Sequence, residues 1–454
     1  MINPELAPAW LLPPSDVNVL AEQLWPKGAY RNAVGELIVG EVNVVEVADV
    51  YGTALYLLDE AQFLNAAAAY RKAFTGWNVY YASKALLTRS VVRWVAAAGL
   101  NLDVCSGNEL QLALDTGFEP GRIALHGNNK SSDELALAMN VGVAYIVVDA
   151  VEELDRIEQL IASGLPAPRV LIRVKTGVYA HTHEYIATAH EDQKFGFSLR
   201  TGEAYAALTR AHAIGLDVKG VHSHIGSQIF DTAGFIAAAS RLLELAAQYS
   251  RTVGEQLTEI CLGGGFGIAY TTADTPLALD ELARELRTAV VSAATDLGIA
   301  PPQCAIEPGR GIVGRAGVAL YRVGVVKHVE LARGAVRMYV SVDGGMSDNP
   351  RPALYGADYS CVLANRNSSS PPVLARVVGR HCESGDILVR DTYLPNDIRA
   401  GDLIAVAAVG AYCRALSSNY NLMPRPAIVA LRDGIARLIV RRETFTDLMA
   451  TDVG

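Results

Sequence analysis

Cysteine is scarce in this chain. Six thiols, at 105, 261, 304, 361, 382 and 413, are scattered over 454 residues, and none falls in a CxxC pair. A reduced, cytoplasmic protein with no disulfide framework is the expectation. Long apolar runs are also missing. No uncharged stretch approaches the roughly 20 residues that span a bilayer. The opening segment MINPELAPAWLLPPSD has no basic start and is broken by prolines, so it does not read as a signal peptide. Positive charge is in deficit. A net charge of −9 argues against nucleic acid or anionic membrane as a partner and leaves a small molecule. Charged residues make up only 19% against 51% hydrophobic, which excludes a disordered chain and gives enough apolar material for two or three domains.

What is present is a rhythm. TALYLLD (53–59) comes first. Eight β-type runs follow: NVYYASK (78–84), NLDVCS (101–106), RIALHGNN (122–129), AYIVVDA (144–150), RVLIRVK (169–175), VKGVHSHIGS (218–227), EICLGGGFG (259–267) and QCAIEPGR (303–310). Between them lie stretches with apolar residues at three-four spacing, such as LLTRSVVRWVAAAG. Strand–helix alternation predicts a parallel sheet covered on both faces, and eight units fit an α/β fold of the (β/α)8 TIM-like barrel type. A doubly wound open sheet is the competing architecture. After about residue 318 the pattern turns to strands and turns, so a C-terminal mostly-β domain is expected. The boundaries expected are 1–49 as an N-terminal segment joining that β domain, 50–317 as the barrel and 318–454 as the β domain. Asp433-Gly434 is a hairpin signal.

The strand ends are polar or glycine-rich: Lys84, Asp103, His126, Arg173, His224, Ser227, Gly263–Gly265, Glu307 and Arg310. In a barrel these ends meet at one site. Lys84 stands where an apolar residue would continue a buried strand. It either reaches solvent or is an amine poised to form a Schiff base. GGGFG is a tight turn or a phosphate cradle of backbone N–H groups. EPGRG places a carboxylate and a guanidinium three apart, as a local ion pair or as partners of a ring nitrogen and a phosphate. The HxH of HSHIGSQ also suggests a metal-dependent hydrolase with His126, His181 or His183 as further ligands. That reading leaves Lys84 and the glycines without a role, and no metal site is expected. HCESGD reads as a loop between strands.

A lysine, a phosphate cradle, a carboxylate for a ring nitrogen and a histidine for a ring face describe a site for pyridoxal 5'-phosphate (PLP). Taken together, YYASKA, HSHIGSQ, GGGFG, EPGR, RPALYGA, HCESGD and GAYC resemble the meso-diaminopimelate decarboxylases, PLP enzymes of the alanine-racemase (ornithine-decarboxylase-like) fold. The resemblance runs from about residue 25 to 445. It implies decarboxylation of meso-2,6-diaminopimelate to L-lysine and CO₂, the last step of lysine biosynthesis. It implies that Lys84 bonds the cofactor and that His224 stacks on its ring. Ser227, Gly264, Gly265, Gly309 and Arg310 would hold the phosphate, Glu307 would pair with the ring nitrogen, and Tyr412 would approach cofactor and substrate. Cys382 matches the family's proton donor. Arg310 and Arg351 would take the distal carboxylate of the substrate, Glu383 its ammonium, and Tyr355 would add a hydrogen bond. The family's cysteine loop reaches a neighbouring pocket, so a homodimer with shared active sites is implied. An ornithine/arginine-type decarboxylase of the same fold, a racemase and a non-catalytic binding protein remain as alternatives. Asp103, Glu109, His126 and Arg173 are expected to support the site, with partners that the sequence does not assign.

Overall fold

Eight of the apolar runs form parallel strands in chain order: Asn78–Ala82, Asn101–Val104, Ile123–Leu125, Tyr145–Val148, Arg169–Lys175, Asp217–His222, Glu259–Cys261 and Gln303–Ile306. The last pairs with the first, Ala305 opposite Asn78 and Ile306 opposite Val79, so the sheet is closed. The computed structural model describes residues 7–178, 193–331 and 334–454. His181 and His183, weighed above as metal ligands, lie outside the described residues.

The barrel belongs to a unit made of Ala66–Gly267 and Pro276–Gly311. Its interior is filled, not hollow. Tyr80, Tyr145, Leu171, Val147, Cys261 and Ala305 pack together inside it. Continuous apolar strands suit this position because both faces are buried. The helices between strands start where the sequence supplies caps. Thr88 accepts from the backbone of Val91 ahead of Arg89–Ala97, and Ser131 and Glu134 form a capping box for Ser132–Val141. In the sixth strand the register shifts between Val218 and Gly220. A Cβ on Gly220 would lie 1.8 Å from the Glu259 carbonyl oxygen, so only glycine fits this irregularity. Such a bulge re-aims the residues that follow, here His222 and His224.

The second unit takes the chain up to Asn65, Ile268–Thr275 and Ile312–Gly454. Its main sheet runs in the order Ile387–Pro395, Pro372–Val378, Val336–Val342, Gly317–Glu330, Leu55–Asp59, Ala427–Arg432, Ile435–Val440. This corrects the boundary expected from sequence. The first run, Leu55–Asp59, is a strand of the β unit and not of the barrel portion. It pairs antiparallel with Gly317–Leu320 and parallel with Ala427–Leu431. Leu37–Val39 makes a small sheet with Tyr30–Arg31 and Val42–Asn43, and its side chains enter the core of this unit beside Leu57, Val318 and Val429. Asp433 and Gly434, both at positive φ, form the two-residue turn between the last two strands. Among the described residues no helix is long and apolar enough to cross a membrane.

Candidate active site

Barrel closure carries the lysine to the glutamate loop. Lys84 is in the turn Ser83–Ala85 that directly follows the first barrel strand. The turn is held from two sides. Ser83 donates to Glu109 Oε2 at 2.7 Å, and the same oxygen accepts from the Cys105 backbone at 2.7 Å. Glu109 thus ties the ends of the first two strands together. On the other side Gly309 lies so close that a Cβ there would be 3.0 Å from Ala82 and 3.1 Å from Ala85. The Lys84 charge is felt at His224, Asp103 and Cys105.

The glycine loop after the seventh strand can be built only from glycine. Gly263 and Gly265 adopt φ of +68° and +115°. A Cβ on Gly264 would lie 2.2 Å from the Glu307 carbonyl oxygen, and one on Gly265 would lie 2.5 Å from that of Gly226. Arg310 donates to Ser227 Oγ at 2.8 Å, placing a buried guanidinium beside the hydroxyl. His224 Nδ1 accepts from the Gly264 backbone at 3.2 Å. Burial, then the charges of Lys84 and Arg173, hold His224 well below the usual histidine range. It is a neutral ring with its Nδ1 committed to the glycine loop.

Glu307 is the electrostatic centre. Its Oε2 lies 3.0 Å from His222 Nε2, its Oε1 lies 3.0 Å from His126 Nε2, and the Cys261 thiol donates to Oε1 at 3.2 Å. Burial favours the neutral acid, but His126 and His222 outweigh it and hold the carboxyl well below the usual carboxylate range. The two histidines differ. Burial pulls His222 down to about 4, so it is a neutral donor. His126 is also penalised by burial, but Asp103, 3.8 Å away, and Glu307 more than compensate and raise it. Burial pushes Asp103 up to about 6 against the pull of His126.

Sequence reasoning missed this clamp. It expected His126 to support the site without assigning its partner, and gave His222 no role outside the metal reading it set aside. The structure does gather His126, His222 and Glu307, with ligand-type atoms within 4.8 Å of one another. His224, the second histidine of the motif, is bonded instead to the glycine loop.

The remaining candidates sit in the β unit. Arg351 and Tyr355 begin and end the short helix Arg351–Tyr355, one turn apart. Arg351 is 4% exposed and makes no ion pair with any acid among the described residues. Its guanidinium carbon lies 4.6 Å from the Tyr270 ring centre and 5.5 Å from that of Tyr359, and Nη1 donates to the Tyr359 hydroxyl. Tyr412 has a positive φ of 67°, costly for a tyrosine. Cys382 and Glu383 are exposed on the turn before Ile387–Pro395. His381 anchors that turn through Asn421 and Ser347, each at 2.8 Å, and the Tyr420 hydroxyl donates to Glu383 Oε1 at 2.5 Å.

A closed barrel ending in a lysine turn, a glycine cradle beside an arginine, and a buried ionised carboxylate defines a pyridoxal-dependent enzyme. Residues 60–314 match the family described as "Pyridoxal-dependent decarboxylase, pyridoxal binding domain". A diaminopimelate decarboxylase of Mycobacterium tuberculosis is 49% identical over 440 residues, 96% of this chain and 98% of the relative. The crystal structure of diaminopimelate decarboxylase from M. jannaschii in co-complex with L-lysine superposes with a TM-score of 0.87. It is 29% identical and covers 95% of this chain and 99% of its own. The corresponding Helicobacter pylori enzyme, also complexed with L-lysine, gives a TM-score of 0.81 at 31% identity, over 90% of this chain and 98% of its own. The chain belongs to the diaminopimelate decarboxylase family of pyridoxal-dependent decarboxylases. The residues present fit PLP: glycine turns and Arg310 for the phosphate, Lys84 for the aldehyde, and a carboxylate kept ionised by two histidines for a protonated ring nitrogen.

Proposed function

We propose that the chain removes the carboxylate at one end of meso-diaminopimelate to give L-lysine and CO₂. The observation that carries the substrate assignment is Arg351, a buried cation without an acid partner among the described residues. Taking a guanidinium out of water costs several kcal/mol unless an anion joins it. A substrate with a second, distal carboxylate supplies that anion, and the planar fork of arginine matches it. Glu383 and Tyr355 complete the recognition of the distal group. An acid would be needed at the position of Arg351 if the substrate ended in an amine, which disfavours ornithine or arginine.

In this reading Lys84, His224, Ser227, Gly264, Gly265, Glu307, Gly309, Arg310 and Tyr412 hold PLP, which when bound supplies the sink for the electron pair left by CO₂. Glu307 keeps a proton on the ring nitrogen, and neutral His224 covers a ring face. Cys382 gives the proton that replaces CO₂, a thiol in the role of general acid. Its exposure suits a thiol that serves the site of a second copy, in a homodimer with shared sites. The six free thiols suit the reducing cytoplasm.

Purified protein with PLP, given diaminopimelate, ornithine, arginine and lysine separately, is expected to release L-lysine from diaminopimelate alone. Turnover of ornithine or arginine in its place would overturn the role given to Arg351. Cys382→Ser is expected to lower kcat by roughly 10²-fold or more, with cofactor affinity held within about twofold. Equal losses in the two quantities would remove the proton-donor role.

A further inference from the structure

The GAYC motif contains a cysteine, Cys413, for which the reaction above has no use. Tyr359 and Asn349 are in the same position: all three are buried and none is assigned to cofactor or substrate. Their hydrogen bonds run in a circle that begins and ends on one residue. Arg351 Nη1 donates to the Tyr359 hydroxyl. The hydroxyl lies 3.4 Å from Cys413 Sγ. The thiol donates to Asn349 Oδ1 at 3.3 Å, and the same oxygen accepts from the Arg351 backbone N–H at 3.4 Å. With the Arg351 N–H occupying a lone pair on the phenol oxygen, the phenol O–H is left to donate to sulfur. Two donor paths therefore leave Arg351, one from the guanidinium through the phenol and the thiol and one from its own backbone N–H, and they converge on Asn349 Oδ1. Burial holds the Tyr359 phenol well above its usual range, so its proton stays in place.

Tyr270 closes the open side. Its ring stands 5.0 Å from that of Tyr359 at 74°, and the guanidinium lies over its face. Tyr270 is itself fixed: its carbonyl accepts from Ser360 Oγ at 2.9 Å, and its backbone N–H donates to Asp274 Oδ2 at 2.9 Å. A long, rotamer-rich side chain is thus held at its tip by a hydroxyl, along its face by a ring, and back to its own backbone through three residues. Arginine side chains carry about 2 kcal/mol of rotamer entropy. Ordering that chain before the ligand arrives leaves less to lose on binding.

We propose that Tyr359, Cys413 and Asn349 form a closed hydrogen-bonded ring that, with the face of Tyr270, positions the Arg351 guanidinium to receive the distal carboxylate of the substrate. The proposal rests on the reading of Arg351 given above. These are positioning residues: they set how the distal end is gripped and leave the reacting carbon alone. Breaking the ring is therefore a binding defect. Removing Tyr359 or Cys413 breaks the path that links the guanidinium to Asn349 and so to the backbone of Arg351.

The test uses the holoenzyme with diaminopimelate. Tyr359→Phe keeps the ring face and removes the hydroxyl. It is expected to raise KM by about tenfold, the effect of losing one hydrogen bond to a charged group, with kcat and cofactor affinity within about twofold. Cys413→Ala is expected to do the same, and Cys413→Ser, which keeps a donor and an acceptor, to restore KM. The double variant Tyr359→Phe/Cys413→Ala is expected to be no worse than either single variant. Should Tyr359→Phe not fold, the Cys413 pair alone decides the matter. An unchanged KM in Cys413→Ala, with Arg351→Lys still raising it, overturns the ring and leaves the role of Arg351 standing. An unchanged KM in Arg351→Lys removes that role and the ring with it. Parallel losses in kcat and cofactor affinity across the series would reduce these residues to packing and overturn the proposal.

Discussion

Lys84→Ala is expected to abolish both turnover and the visible absorbance of the purified protein, while its thermal midpoint without cofactor stays close to that of the parent. The separation follows from how the turn is built. Lys84 is exposed, so its truncation leaves no core cavity. The turn itself is held by the Ser83–Glu109 hydrogen bond and by the packing of Gly309 on Ala82 and Ala85, none of which involves the lysine side chain. What is lost is the amine at the mouth of the barrel, and with it a loss in kcat of about 10⁴-fold or more, the scale for removing a covalent nucleophile. A Lys84→Ala protein that keeps its colour would overturn the cofactor site. The same variant tests the proposed sharing of sites between two copies. Mixed with Cys382→Ser protomers it is expected to regain activity, because one of the two sites in the mixed dimer would have both an intact lysine and an intact cysteine. No recovery would place each cysteine in its own chain's site.

Much of this site is legible in the sequence, for a physical reason. A barrel strand buried on both faces is a short apolar run, and its functional residue follows immediately as a polar tip. Lys84, His224, the three glycines and Glu307 all stand in that place. The Gly263–Gly265 run is legible because no Cβ can be accommodated there. What escapes is contact across the fold. Leu55–Asp59 looks like a barrel strand because a helix and a barrel strand follow it, yet its partners come from Gly317–Leu320 and Ala427–Leu431. Nothing local in TALYLLD encodes so distant a pairing. The clamp on Glu307 is hidden in the same way. His126 and His222 sit on the third-strand end and the sixth strand, and only closure of the barrel brings both to one carboxylate. Tyr359 and Cys413 look like core residues until their 3.4 Å contact beside Arg351 is seen.

The clamp leads to the second large effect. Glu307→Gln is expected to lower kcat by roughly 10²–10³-fold, the scale of removing one preorganised electrostatic contact to developing charge. Glutamine has the shape of glutamate but no charge to keep a proton on the ring nitrogen. Its amide also fits badly here. Both carboxylate oxygens face histidine Nε2 atoms at 3.0 Å, and neutral His222 already donates, so an NH₂ group must turn toward one of them. His126 loses one of the two acids that raise it and is left with Asp103. The pH dependence separates this from a titration effect. Because His126 and His222 hold Glu307 well below the usual carboxylate range, the parent carboxylate is ionised throughout the range where the enzyme is assayed. Its stabilising effect is present above the unfolded carboxyl pKa of about 4.3 and is lost only as pH falls through the lower folded value. The ratio of parent to variant kcat should therefore be flat between about pH 6 and pH 8. Glu307→Asp keeps the charge and shortens the reach, so it should fall between the two. A Glu307→Gln enzyme within about threefold of the parent would show that the ring nitrogen needs no carboxylate. The histidine clamp would then be a packing feature at the strand ends, not the means by which this chain keeps an acid ionised away from water.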